Sequence, residues 1–174
     1  GYATKVDPSG NVYVTGAFTG TVDFDPGANV ANLTATGVGG DIYVAKYDGL
    51  GNYLWAFRLG GTAPDEGLAL ALAPGGSGVY VTGRWFQPSQ DKAFLILVDP
   101  GGNVQWTKFI SGGSTNCFVH GRAIAIDPAG NILLTGSYTW TVDLDPGPGA
   151  MTFTSNGSTN IYLAKYDPSG NFIW

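Results

Sequence analysis

Short runs in which apolar residues alternate with polar or small ones recur along the chain, and each is closed by a cluster of Asp, Pro, Gly and Asn. A period of two puts every second side chain on one face, which is the pattern of a half-buried strand. ATKV at 3–6 and VYVTG at 12–16 flank the turn DPSGN, while IYVAKYD at 42–48 and a run carrying Trp55 flank DGLGN. The same order returns as LALAL, VYVTG, FLILVD and a run carrying Trp106, and again as AIAI, ILLTG, IYLAKYD and a run carrying Trp174. In such turns Asp bonds back to the turn backbone, Pro presets φ, and Gly supplies the positive φ that closes a hairpin. The spacing predicts three four-stranded antiparallel meanders.

The repetition is direct. GYATKVDPSGNVYVTGAFTGTVDFDPG from Gly1 returns as GRAIAIDPAGNILLTGSYTWTVDLDPG from Gly121, with a more divergent copy from Gly67 between them. Units averaging about 58 residues are the mark of stacked supersecondary elements. The expected fold is all-β, with β-propeller-type blades at 1–62, 63–113 and 114–174, the last ending in a truncated fourth strand. Leu68, Leu70 and Leu72 alternate with Ala69 and Ala71, as suits a first strand wedged between neighbouring sheets near the axis. Closed propellers hold roughly 4 to 8 blades, so three units form a partial ring. Three completions follow: further blades of the same chain, a second copy closing a six-blade ring, or an open self-assembling array.

The motif D-P-x-G-N-x-Y-V-T-G, then a D-F-x-P-like element, I-Y-V-A-K-Y-D and G-N-x-x-W, resembles the bacterial seven-bladed-type β-propeller repeat family. Gly10, Asn11, Tyr13, Val14, Thr15, Gly16, Asp23, Phe24, Lys46, Asp48, Gly51 and Trp55 carry the resemblance, which runs through essentially the whole chain. The middle unit departs from it, with Leu97 at the lysine position and no DFDPG-like element. The resemblance implies a secreted or cell-surface bacterial protein, commonly within a larger chain, and no catalytic residues; apart from calcium, no cofactor is expected.

Composition narrows the partners. Of 174 residues, 44% are hydrophobic and only 12% charged, with net charge -5, so the chain has a core but no basic footprint for nucleic acid. No apolar window of about 18 residues predicts a membrane-spanning helix. Cys117 is the only cysteine, which excludes a disulfide framework, and its C-x-x-H spacing to His120 lacks the further ligands that zinc requires. Any Ser-His-Asp or Cys-His device depends on His120, and a glycosidase or lyase on Asp65 and Glu66, which are sequence neighbours rather than an opposed pair.

In a meander the first-to-second and third-to-fourth turns share one rim, and the second-to-third loops and inter-unit connections share the other. The latter collects Asp23, Asp25, Asp65, Glu66, Cys117, His120, Asp143 and Asp145, and it is where a protein or glycan partner is expected. TVDFDPG and TVDLDPG carry two readings. Asp23 with Asp25, and Asp143 with Asp145, stand two residues apart and so present paired carboxylates to calcium. Alternatively, Asp23 and Asp143 bond to loop backbone and pin a long connection. Trp55, Trp106 and Trp174 share one position in every unit and belong to packing. Trp140 instead replaces Gly20 of the first copy, so no shared structural need accounts for it, and an indole on a loop rim suits a sugar or a partner side chain. Lys46 and Lys165 are expected to lay their stems on the sheet and expose their ammonium groups. Asn32-Leu33-Thr34 and Asn156-Gly157-Ser158 match the glycosylation tripeptide.

Overall fold

The computed structural model describes residues 1–37, 39–113, 116–156 and 158–174, so the Asn156–Ser158 tripeptide lies partly outside the described residues. The strands are β1 (Ala3–Val6), β2 (Val12–Phe18), β3 (Thr21–Asp23), β4 (Asn32–Thr34), β5 (Asp41–Tyr47), β6 (Tyr53–Leu59), β7 (Glu66–Leu72), β8 (Val79–Trp85), β9 (Lys92–Val98), β10 (Val104–Gly112), β11 (Val119–Ile126), β12 (Ile132–Tyr138), β13 (Thr141–Asp143), β14 (Thr152–Thr154) and β15 (Asn160–Tyr166). The chain is all-β, with one 3-10 turn at Pro74–Gly76 and no α-helix among the described residues. Antiparallel strand sets β1-β2-β5-β6, β7-β8-β9-β10 and β11-β12-β15 are successive propeller-type blades forming part of a ring, the second extended past β10 by β13 and β14. In the third, the segment 172–174 lies along β15 through the bridge from Tyr166 to Phe172 and backbone bonds of Lys165 with Ile173 and Trp174 at 2.8 Å.

The turns work as their composition demands. Asp7 Oδ1 accepts the Ser9 and Asn11 N–H groups at 2.9 Å, Gly10 takes φ +85°, and Asn11 Nδ2 donates to Asp7 Oδ2 at 2.8 Å. Asp48, Asp99, Asp127 and Asp167 repeat the arrangement with Asn52, Asn103, Asn131 and Asn171. The asparagine is thus a second clasp on each turn.

Alternation along the strands feeds two seams between sheets. Ile42 and Val44 of β5 face Val79, Val81, Phe94 and Ile96 of the second blade. Leu95 and Ile110 of the second face Ile132, Leu134, Tyr162 and Tyr166 of the third. Burying each such side chain stabilises by about 1.5–3 kcal/mol. Glycine sets the closeness of approach: a Cβ on Gly67 would strike Thr15 Oγ1, and one on Gly121 would strike Thr82 Oγ1. Those threonines are already fixed, donating to Tyr43 O at 2.8 Å and Phe94 O at 2.6 Å.

Two of the three repeated tryptophans reach across the seams, while Trp174, expected to pack likewise, is 52% exposed. Trp55 Nε1 donates to Pro100 O at 3.0 Å and its ring covers Gly102, while Trp106 covers Gly170 in the same way. The lysine expectation needs correcting. Lys46 is buried, donates to Pro100 O at 3.2 Å and lies over the Tyr13 ring, and Lys165 pairs with Asp127 at 2.8 Å. A carbonyl or carboxylate within reach of each stem draws the ammonium in.

The long connections also differ from projecting loops. Each is a hairpin, β3-β4 or β13-β14, folded back over its own blade. Phe24 packs against Phe18 and Tyr43, and the Tyr47 hydroxyl donates to Phe24 O at 3.0 Å. The bend at Asp25–Asn29 thereby reaches the Leu50–Tyr53 turn on the opposite rim. Apolar residues at alternate hairpin positions favour the sheet face over solvent.

Candidate functional site

With the hairpins folded away, the loop rim carries a different cluster from the acidic one expected. Trp140 closes the turn between β12 and β13, and the residue is 56% exposed. Its φ is +58°, a left-handed conformation that disfavours residues with a Cβ. Gly20, at the same place in the first copy, has φ +66°. The turn therefore dictates the backbone, and the first copy fills it with the residue that adopts it freely.

Phe118, 40% exposed, sits beside this turn. Its N–H donates to Thr139 Oγ1 at 3.0 Å and its carbonyl accepts the Thr139 N–H at 3.0 Å. Thr139 and Thr159 join two clefts, one of about 230 Å³ against His120, Arg122, Ser137 and Tyr138, the other of about 220 Å³ against Trp140 and Ser158. The arrangement offers two aromatic surfaces, a row of hydroxyls and a guanidinium.

Behind it runs a chain of polar contacts. Buried Asp91 accepts from Arg84 Nε at 2.9 Å and from His120 Nε2 at 3.0 Å, both on Oδ2, and the second ring nitrogen of His120 meets Arg122 at 3.1 Å. Arginine only donates, so Nδ1 accepts and Nε2 carries the proton given to Asp91. This fixes the imidazole plane and positions Arg122. Cys117 is separate from that chain: its buried thiol donates to Thr139 O at 2.8 Å, and burial pushes its pKa up, so it is a packed thiol rather than a nucleophile.

The remaining carboxylates have structural partners. Asp65 accepts the Phe86 N–H at 2.7 Å and the Gly61 N–H at 2.9 Å, and burial raises its pKa. Glu66 faces Arg84 at 3.8 Å. Asp23 Oδ1 accepts the Asp25 and Ala31 N–H groups at 3.0 and 2.8 Å; Asp143 Oδ1 accepts those of Asp145 and Met151 at 3.1 and 2.8 Å. Asp25 and Asp145 each accept a glycine N–H at 2.8 Å. Among the described residues, no three His, Cys, Asp or Glu side chains are grouped to hold a metal ion.

A wider cleft of about 500 Å³ opens on the opposite rim, between the 7–9 and 72–78 turns, but turn glycines and prolines line much of it. Sequence reasoning singled out Trp140 and missed Phe118, Thr139, Thr159 and Arg122. Phe118 left one signal: Pro64 holds the same place ahead of Gly67 in the second copy, so no shared packing need accounts for an aromatic there.

No family model matches the chain. It is similar to an uncharacterised WD repeat-containing protein of Acanthamoeba polyphaga mimivirus, 25% identical over 215 aligned positions that take in the whole of this chain. The chain spans 15% of that protein's length.

Proposed function

We propose that this chain is a non-catalytic interaction scaffold of a β-propeller, holding a partner protein against the Trp140 and Phe118 surface. The exposed indole in a left-handed turn carries the reading. Backbone strain kept on a surface aromatic is a feature of binding sites, and Trp is enriched where interfaces concentrate their energy. The partner is a protein segment that lays an apolar side chain between Trp140 and Phe118 and a carboxylate on Arg122. The similarity to a WD repeat-containing protein supports a propeller-type repeat; the D-P-x-G-N and I-Y-V-A-K-Y-D motifs support the finer assignment to the bacterial seven-bladed-type repeats. A secreted or cell-surface setting goes with that assignment.

Selection of a displayed random-peptide library on the chain tests this. Peptides enriched on the parent and lost on Trp140→Gly support the reading; peptides indifferent to Trp140 and Phe118 overturn it. The three hydroxyls of Thr139, Ser158 and Thr159 beside the indole favour a second reading, a glycan stacked on Trp140. Saturable quenching of tryptophan fluorescence by oligosaccharides, absent in Trp140→Gly, distinguishes it.

A further inference from the structure

The two hairpins have the same sequence signature and internal register but different surroundings. Thr21 pairs with Thr34 and Thr141 with Thr154, each with a hydroxyl contact at 2.9 Å, and both hairpins carry the same aspartate pins. The outer edge of β13, however, continues the sheet of the preceding blade. Ser111 of β10 lies opposite Asp143, Gly112 opposite Val142, and the Gly113 N–H donates to Thr141 O at 3.0 Å. Among the described residues β3 makes no such pairing, and it forms a two-stranded sheet with β4 alone. Val142 is 0% exposed, whereas its counterpart Val22 is 36% exposed.

We infer that the β3 edge is a docking site for the fourth strand of a further repeat of this kind, placed ahead of Gly1 on the same polypeptide. The β10 end defines what fits: an extended strand closing in a small residue and two glycines, as Ser111-Gly112-Gly113 does. Glycine is required where the strands meet, because a Cβ on Gly112 would strike Cys117 and approach Thr141 O to 2.7 Å. The backbone of Thr21 and Asp23 turns its open hydrogen-bonding groups to this edge, as Thr141 and Asp143 do toward β10.

A second feature of the same face agrees. Gly67 and Gly121 each seat against a threonine of the preceding blade, and Gly1 keeps a glycine at the matching place of the first blade. The mimivirus relative, in which the matched stretch is 15% of the length, fits repeats carried in a longer chain.

The test joins a copy of residues 61–120 ahead of Gly1, so that His120 meets Gly1 as it meets Gly121. Amide exchange of Thr21 and Asp23 is expected to slow by about ten-fold or more relative to the parent. Gly112→Val in the added copy should abolish the slowing. A folded fusion in which these amides exchange as in the parent overturns the proposal. A parent chain that is already a discrete dimer with both amides protected also overturns it, by making a second copy the occupant. Should the fusion not fold, the peptide of residues 104–113 at millimolar concentration serves instead: slowing at Thr21 and Asp23 supports the proposal, and unchanged exchange overturns it.

Discussion

Trp140 and Gly20 occupy the same place in two copies of one repeat and share one backbone conformation, φ +58° and +66°. The turn after the second strand requires a left-handed residue to lead into the hairpin. In the third blade that position is given to an indole, against the intrinsic preference of the backbone. Substituting Phe at position 140 should keep more than half of the peptide-binding energy, because a ring remains, while Gly should lose about 2 kcal/mol or more. Titration calorimetry with a selected peptide reads both.

The seam between the second and third blades depends on Gly121 lying against Thr82. Gly121→Ala is expected to cost about 1–3 kcal/mol by overpacking, and Thr82→Ala in the same chain should recover part of it. Urea unfolding of the two single variants and the double variant measures the coupling; strictly additive losses would contradict it.

Much of this was legible beforehand. Alternation with turn punctuation located the twelve blade-strand positions, and eleven are strands, because each turn fixes its own hairpin by local bonds; β11 starts four residues ahead of its AIAI run. What lay hidden depends on contacts distant in sequence. Lys46 and Trp55 converge on Pro100 O, a carbonyl of the next blade, and no local pattern announces it. The hairpins fold back because Phe24 and Leu144 find an apolar face, and the pairing of β13 with β10 joins segments about thirty residues apart. The Trp140-for-Gly20 exchange was visible, but its meaning required the backbone angle.

Acid should destabilise the fold through the turn aspartates. The Asn52 amide lowers the pKa of Asp48, the Asn103 N–H lowers that of Asp99, and the Lys165 ammonium holds Asp127 far below the usual carboxylate range. A carboxylate with a depressed folded pKa contributes stability that is fully present above its unfolded value, about 3.9, and is lost as pH falls through the folded one. Denaturation monitored by tryptophan fluorescence should therefore steepen below about pH 4. Lys165→Met should flatten that dependence, and an unchanged slope would count against the Asp127 pair.

Calcium provides another check on the DxDPG hairpins. One oxygen of each of Asp23 and Asp143 already accepts two backbone N–H groups, so the pinning account expects millimolar calcium to leave the melting temperature within about 1 °C. A rise of several degrees that EDTA reverses, and that Asp143→Asn with Asp145→Asn removes, would place a cation there instead.

The central claim is that Trp140 is kept for a partner while Trp106 is kept for the fold, and equilibrium urea unfolding of Trp140→Gly beside Trp106→Ala tests it most directly. In Trp140→Gly, relief of the left-handed backbone offsets the burial lost by a half-exposed ring, so stability should stay within about 1 kcal/mol of the parent. Trp106→Ala opens the seam over Gly170 and should cost about 3 kcal/mol. Equal losses in the two variants would make Trp140 a packing residue and contradict the interaction surface built around it.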